Sequence, residues 1–283
     1  MTAEWADLEG RNATNGLKLL AFDLDGTLLN QRGHLSLENR RALDEARRSG
    51  LEITLVTGRH ISKVLPFARE LQLIAPIVTS NGCEVWLPEG ELLHRSSLPQ
   101  PEREWLHRFA LEHELGYRAY CVEGVYDWLP GGELAESGHS GFEWLKVLLE
   151  DAAGKSAADA GALERGRTAR CLRGPFDRLA ADPRFALAAY SRDPARIDRI
   201  DVHPAGVDKA AGLSAVCRRL GVTAAEVAAF GDDTNDIAML RWAGLGVAME
   251  QAPPAVLEAA DHVAPHHNRD GVAAFIRGLL AAK

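Results

Sequence analysis

Short apolar runs that stop at polar or glycine-containing turns recur along this chain, with helix-patterned segments between them. The runs 17–22 (LKLLAF), 51–56 (LEITLV) and 75–79 (APIVT) are rich in Leu, Ile and Val and have strand length. Between the first two, 36–50 (SLENRRALDEARRSG) offers Ser36 as a cap, Leu37, Leu43 and Ala46 on helical spacing, and Gly50 as a stop. The interval 60–73 (HISKVLPFARELQL) reads as helical, with Pro66 calling for a kink or a late start. Strand–helix alternation of this kind is the signature of a parallel α/β sheet. The rhythm returns near the C-terminus. There 209–221 reads as a helix closing on Gly221, and 226–233 (EVAAFGDD) as a strand running into acidic residues. A helix over 235–244, short strands at 245–249 and 262–264, and a closing helix over 270–283 complete the pattern.

The middle of the chain lacks this rhythm. Segment 101–116 reads as a helix with Pro101 at its start, while 118–130, 184–191 and 196–204 contain strand-like pieces. Segment 150–170 is rich in Ala and Gly and fits a poor helix or a connection equally well. The predicted fold is therefore α/β, a Rossmann-like parallel sheet core carrying an inserted α+β cap domain. Its expected parts are 1–83 and 201–283 for the core and 84–200 for the insert.

Composition narrows the functional classes. A formal net charge of −8 argues against a general nucleic-acid binder, because nothing neutralises a run of phosphates. It leaves room for a small anionic substrate, which local charge and a metal can hold. The cysteines Cys83, Cys121, Cys171 and Cys217 form no C-x-x-C pair, so reduced thiols, buried or half-buried, are expected. There is no basic start followed by an apolar run of signal length, and no 18-residue apolar stretch. A cytoplasmic address without membrane attachment is the expectation.

Four polar clusters sit at ends of apolar runs or at a helix start. The first is Asp23-Leu24-Asp25-Gly26-Thr27. Two carboxylates separated by one residue at a turning strand end can divide their work, one attacking as a nucleophile and the other exchanging a proton. Asp-Gly is equally an ordinary turn pair. The second, Thr57-Gly58-Arg59, offers a hydroxyl and backbone N–H groups to an anionic oxygen, or merely turns the chain. The third is Lys209 at a helix start, the wrong end of the dipole for a cation unless it points at an anion. The fourth, in FGDDTNDIAML, sets Asp232, Asp233 and Asp236 around Asn235. These carboxylates repel one another unless a hard cation is bound, and oxygen donors without His or Cys select Mg²⁺ over zinc. Helix capping by Asp233 or Asn235 competes with that reading and is compatible with it.

Taken jointly and in this order, the clusters resemble the haloacid dehalogenase superfamily of phosphohydrolases, in its Cof-type branch with a large C2-type cap. That family carries D-x-D-G-T, a strand-terminal Thr or Ser, a Lys, and G-D-x-x-N-D. Here these correspond to Asp23 to Thr27, Thr57, Lys209, and Gly231 to Asp236. The likeness extends to TSNG (79–82), IDVHPAGVDKAAGL and NRDGVAAFI, and is loose through the insert. Ala210 stands where the family usually has Gly, and Asp233 where it often has Gly or Asn; a capping role is favoured for Asp233.

The resemblance implies a Mg²⁺-dependent phosphatase of small phosphomonoesters, such as a sugar phosphate or similar metabolite, working through an aspartyl-phosphate. It implies Asp23 as nucleophile and Asp25 as acid and base. Mg²⁺ is implied on Asp23, the carbonyl of Asp25 and Asp232, with Asp236 and Asn235 supporting. Thr57 and Lys209 are implied as holders of phosphoryl oxygens. Gly58, Arg59, Ser80 and Asn81 are candidate substrate contacts because they flank the same strand ends. In the insert, Trp128, Tyr126, Trp144 and Tyr190 either stack on a leaving group or, on the weightier reading, build its core. A phosphotransferase or mutase on the same scaffold and a phospho-accepting signalling module are the alternatives. The large insert and the second aspartate, Asp25, count against the signalling module.

Overall fold

The computed structural model describes residues 16–130, 141–152, 170–191, 193 and 195–281. The expectations for the polar lead-in and for most of 150–170 lie outside these residues. The chain divides into two compact units, one running to His94 and resuming at Lys209, the other Arg95–Asp208. In chain order the strands are β1 (Leu19–Phe22), β2 (Glu52–Leu55), β3 (Ile77–Thr79), β4 (Glu84–Trp86) and β5 (Leu92–Arg95). Then come β6 (Leu115–Cys121), β7 (Gly124–Trp128), β8 (Trp144–Asp151), β9 (Phe185–Tyr190) and β10 (Arg199–Pro204). The last are β11 (Val227–Gly231), β12 (Leu245–Met249) and β13 (His262–Ala264).

The first unit is built on a parallel sheet in the order β13-β12-β11-β1-β2. Because side chains alternate along a strand, β1 feeds two cores. Leu20 and Phe22 join one cluster with Ile53, Leu55, Phe230 and Phe275, and Leu19 and Ala21 join the other with Val216, Val227 and Leu240. Phe22 stacks on Phe230 with centroids 4.6 Å apart, and Phe275 meets Phe230 edge-on. A sheet buried on both faces needs continuous apolar strands, and β1, β11 and β12 are buried at every position.

Helix Leu37–Arg48 begins where Ser36 accepts from the Asn39 N–H at 3.0 Å, and Gly50 follows it at φ +89. Leu37, expected on the buried face, is 59% exposed; Asn39 is buried instead. Both ends of the buried amide are paired: Nδ2 donates to the Leu28 carbonyl and Oδ1 accepts from the Ala273 N–H, both at 3.0 Å. Pro66 delays its helix as anticipated, since a 3-10 turn at Ile61–Lys63 precedes helix Leu65–Glu70. β3 meets β2 only through the parallel bridge Val56–Val78 and turns into a separate sheet, β3-β4-β5. For that reason residues 84–94, assigned to the insert by their texture, belong to the first unit.

The second unit is an antiparallel sheet, β7-β6-β8-β10-β9, with helices Gln100–Glu112 and Arg173–Ala180 packed on one cluster. Trp128 and Trp144 are buried in that core, Tyr126 stacks on Phe142, and the Tyr190 hydroxyl donates to Asp201 at 3.3 Å. β10 includes residues 201–204, so this sheet extends past residue 200. Among the described residues no helix is long and apolar enough to cross a membrane. None of the four cysteines is in a disulfide; Cys171 is half-buried and the others are buried.

A buried ion pair ties the middle of this second sheet. Lys146 Nζ on β8 donates to Asp201 Oδ2 on β10 at 2.5 Å, and both side chains are almost wholly buried. His203 Nε2 lies 3.6 Å from the same oxygen, and the ammonium sits 4.3 Å from the Tyr120 ring centroid. Burial alone would raise the Asp201 carboxyl, but Lys146 and then His203 hold it far below the ordinary carboxylate range. A depressed folded value stabilises the fold above the unfolded pKa of about 4 and is lost as pH falls below it. Asp201→Asn strands the Lys146 charge, and a loss of about 3–5 kcal/mol is expected at neutral pH, shrinking below about pH 4. Urea unfolding of both proteins across pH 3–7 (approximate limits) checks this.

Candidate active site

The sheet order reverses between β1 and β11, and open α/β sheets form their ligand crevice at such a point, outside the carboxyl ends of the strands. Asp23 follows β1 there, its N–H extending the ladder to the Phe230 carbonyl at 3.0 Å. Asp232 follows β11. Lys209, the first residue of helix Lys209–Leu220, is 1% exposed. A buried ammonium is costly unless paired. Its Nζ donates to Asp23 Oδ1 at 2.7 Å and Asp236 Oδ1 at 2.6 Å. Asp236 Oδ2 accepts from the backbone N–H groups of Asp232 and Asp233 at 2.9 and 3.0 Å. Asp236 thus holds both the lysine and the acidic loop. Asp233 caps that loop by accepting from the Thr234 N–H at 2.7 Å, as its capping reading anticipated.

Asp23, Asp232 and Asp236 each bring a carboxylate oxygen into a group no wider than 4.8 Å. Three carboxylates against one buried ammonium leave a surplus of negative charge in the cluster. Burial raises the Asp23 carboxyl to about 7 against the pull of Lys209, with Asp236 adding to the rise. Burial and then the charges of Asp23 and Asp236 raise Asp232 to about 8. Burial would lower the Lys209 ammonium, yet Asp23 and Asp236 raise it above its ordinary value. An all-oxygen, charge-surplus cluster of this size fits a hard divalent cation.

The turn after Asp23 has no room for other residues. Gly26 has φ +82, and a Cβ there would lie 2.1 Å from Asp232 Oδ2. Thr27 Oγ1 donates to Asp232 Oδ1 at 2.9 Å. Asp25 points elsewhere: its carboxylate is exposed and receives the Arg59 guanidinium on both oxygens, with Nε at 2.7 Å. Arg59 is itself laid over the Phe67 ring at 5.4 Å.

Thr57, Gly58, Arg59, Ser80 and Asn81 form one stitched pair of loops. The Ser80 N–H donates to the Arg59 carbonyl and the Asn81 N–H to the Thr57 carbonyl, at 2.9 and 3.0 Å. Ser80 and Asn81 both take left-handed backbone, φ 50 and 57, a strained pair for residues with side chains. Gly58 makes room for the Asn81 side chain, since a Cβ there would lie 2.9 Å from Asn81 Oδ1 and push it aside. That same oxygen accepts from Asn235 Nδ2 at 3.0 Å, so the β3 loop reaches the acidic loop. The Thr57 hydroxyl is buried and accepts from the Arg59 N–H at 3.3 Å. The structure thus gathers Asp23, Asp232, Asp236 and Lys209 into one cluster, pairs Asp25 with Arg59, and links Asn81 to Asn235. Gln251, absent from the candidates, donates from Nε2 to the Gly26 carbonyl at 2.6 Å. The one signal for it is its place just beyond an apolar strand.

This chain belongs to the haloacid dehalogenase-like hydrolases, whose family model matches residues 20–144 and 184–276. It is 34% identical over 263 residues to the 5-amino-6-(5-phospho-D-ribitylamino)uracil phosphatase YcsE of Bacillus subtilis, covering 92% of this chain and 95% of that one. It is 31% identical over 276 residues to the HMP-PP phosphatase of Cronobacter sakazakii, covering 93% and 96%. A solved haloacid dehalogenase-like hydrolase from B. subtilis shares the fold, with TM-score 0.75 at 23% identity over 92% of this chain and 99% of that chain.

The raised carboxyls have a consequence for the metal-free protein. A folded pKa above the unfolded one stabilises fully below about pH 4 and is lost as pH rises through about 7 to 8. Asp232→Asn removes one repelling charge and keeps an acceptor for Thr27. The metal-free variant is expected to melt a few degrees above the parent near pH 8, with a flatter pH dependence. Calorimetry of chelator-treated protein between about pH 5 and pH 8 checks the sign.

Proposed function

We propose that this hydrolase is a Mg²⁺-dependent phosphatase of small phosphomonoesters that works through an aspartyl-phosphate on Asp23. The observation that carries the reading is the placement of Asp23: buried at a strand end, one oxygen on Lys209, beside an acidic group of cation-binding size. Mg²⁺ would be held by Asp23, the main-chain carbonyl of Asp25 and Asp232, with Asp236 and Asn235 supporting. It would supply charge that neutralises the phosphoryl oxygens and the surplus of the acidic cluster.

In the first step an Asp23 carboxylate oxygen attacks phosphorus, the ester P–O bond breaks, and Asp25 gives its proton to the departing oxygen. In the second, Asp25 takes a proton from water, whose oxygen attacks the same phosphorus and releases inorganic phosphate and the Asp23 carboxylate. Lys209 restrains Asp23 and, with Thr57 and the turn N–H groups, faces the phosphoryl oxygens, where most of the barrier is lowered. Asp25 must leave Arg59 to work, and an incoming phosphate is the natural competitor for that guanidinium. Gly58, Ser80 and Asn81 shape the wall beside it. The Arg95–Asp208 unit is read as the module that selects the leaving group, and a cytoplasmic metabolite is the intended substrate.

Phosphate release should be measured on a panel of monoesters with and without Mg²⁺. The name of the B. subtilis relative makes the phosphorylated ribitylaminouracil the first ester to include. Turnover is expected to need Mg²⁺. Asp23→Asn should lose about 10⁴-fold or more in kcat, and Asp25→Asn about 10²–10⁴-fold. An Asp23→Asn protein as active as the parent would rule the reading out.

A further inference from the structure

We propose that Gln251 is a positioning residue for the reaction, the side chain that fixes the Gly26–Thr27 peptide and through it the Asp25 turn; this rests on the phosphatase reading. Its Nε2 donates to the Gly26 carbonyl at 2.6 Å, and its Oε1 accepts from the His267 N–H at 3.2 Å. One partner is an acceptor and the other a donor, so the orientation of the amide is unambiguous. His267 in turn places Nδ1 2.8 Å from the Leu29 carbonyl, and Asn268 Oδ1 accepts from the Gln31 N–H at 2.8 Å. Gln251 therefore meets the turn at Gly26 itself, while His267 and Asn268 tie the chain three to five residues further on, at Leu29 and Gln31.

Within that turn the Gly26 carbonyl is the point that needs holding. Gly26 is at φ +82, where glycine passes readily to other conformations. The opposite end of the same peptide, the Thr27 N–H, has only a long bond to the Leu24 carbonyl at 3.4 Å. Rotation of this peptide would move Asp25 on one side and the Thr27 hydroxyl, which donates to Asp232, on the other. The amide of Gln251 opposes that rotation. It has no contact with Asp23, Asp25 or Asp232 in the hydrogen bonds described, so its effect on rate is exerted through backbone.

Gln251→Met keeps the length of the side chain and removes both bonds; Asn268→Ala cuts the neighbouring tie on Gln31. With p-nitrophenyl phosphate as probe, Gln251→Met is expected to lower kcat about 10–100-fold with KM within about twofold. Asn268→Ala should keep the parent kcat. A crystal structure of Gln251→Met should show the Gly26–Thr27 peptide rotated and the Thr27–Asp232 bond lost. The proposal is overturned by a Gln251→Met protein with parental kcat, by an unmoved peptide, or by losses in both variants that merely follow their melting temperatures. Were the parent inert toward every ester, the phosphatase reading would fall, while the peptide in the variant structure would still decide the positioning role.

Discussion

The buried ammonium of Lys209 is the interaction on which the site depends. Among the described residues it is the one positive charge within hydrogen-bond reach of both Asp23 and Asp236, and it is 1% exposed. Without it, carboxylates from β1 and β11 would face one another across the sheet's switch point with nothing to offset their repulsion. With it, Asp236 anchors the acidic loop through two backbone N–H groups, and Asp23 is held by one oxygen. The helix carrying Lys209 can come this close because Gly212 lets it settle against Val78 and Gly82, where a Cβ would meet Val78 at 2.4 Å. Packing thus places the charge, and the charge organises the loops.

One lysine does not balance the cluster. The raised carboxyls of Asp23 and Asp232 record that imbalance, and they are what make a cation at this position physically sensible. Metal affinity and proton release are then two sides of one equilibrium, because ligands must lose protons to bind. Crowding by these acids also accounts for two glycines, Gly26 in the turn after β1 and Gly231 at the end of β11. Gly26 gives way to Asp232, and Gly231 gives way to Asp236, whose Cβ would stand 2.4 Å from a side chain at that position.

The clustered acids and the parallel sheet were legible in the sequence because each acidic group ends an apolar run, and strand ends converge in such sheets; Lys209, at a helix start, stood out only through the joint order of the four clusters and the family resemblance. Asp25 was found by the same pattern, but its two-pronged pairing with Arg59 was not, since a contact across 34 residues leaves no periodic trace. Helical spacing misled at Leu37, because the buried face was claimed by Asn39, a polar residue whose partners Leu28 and Ala273 lie far away in sequence. The contact of Gln251 with Gly26, 225 residues away, left no trace for the same reason. In the insert, β8 was passed over because its residues face apolar neighbours on one side and the buried Lys146 pair on the other, which erases alternation. Helix Arg173–Ala180 is short and carries Pro175, so propensity gave little warning of it.

The most direct test of the central claim is covalent. Asp25→Asn protein should be mixed with a turned-over ester and Mg²⁺, quenched in acid, and its peptides mapped by mass. With p-nitrophenyl phosphate as the ester, whose leaving group departs without a proton, this variant keeps the nucleophile but lacks the group that activates water, and the account predicts one added phosphoryl group on the peptide containing Asp23. An unmodified Asp23 peptide, or a phosphoryl group on another residue, would contradict it.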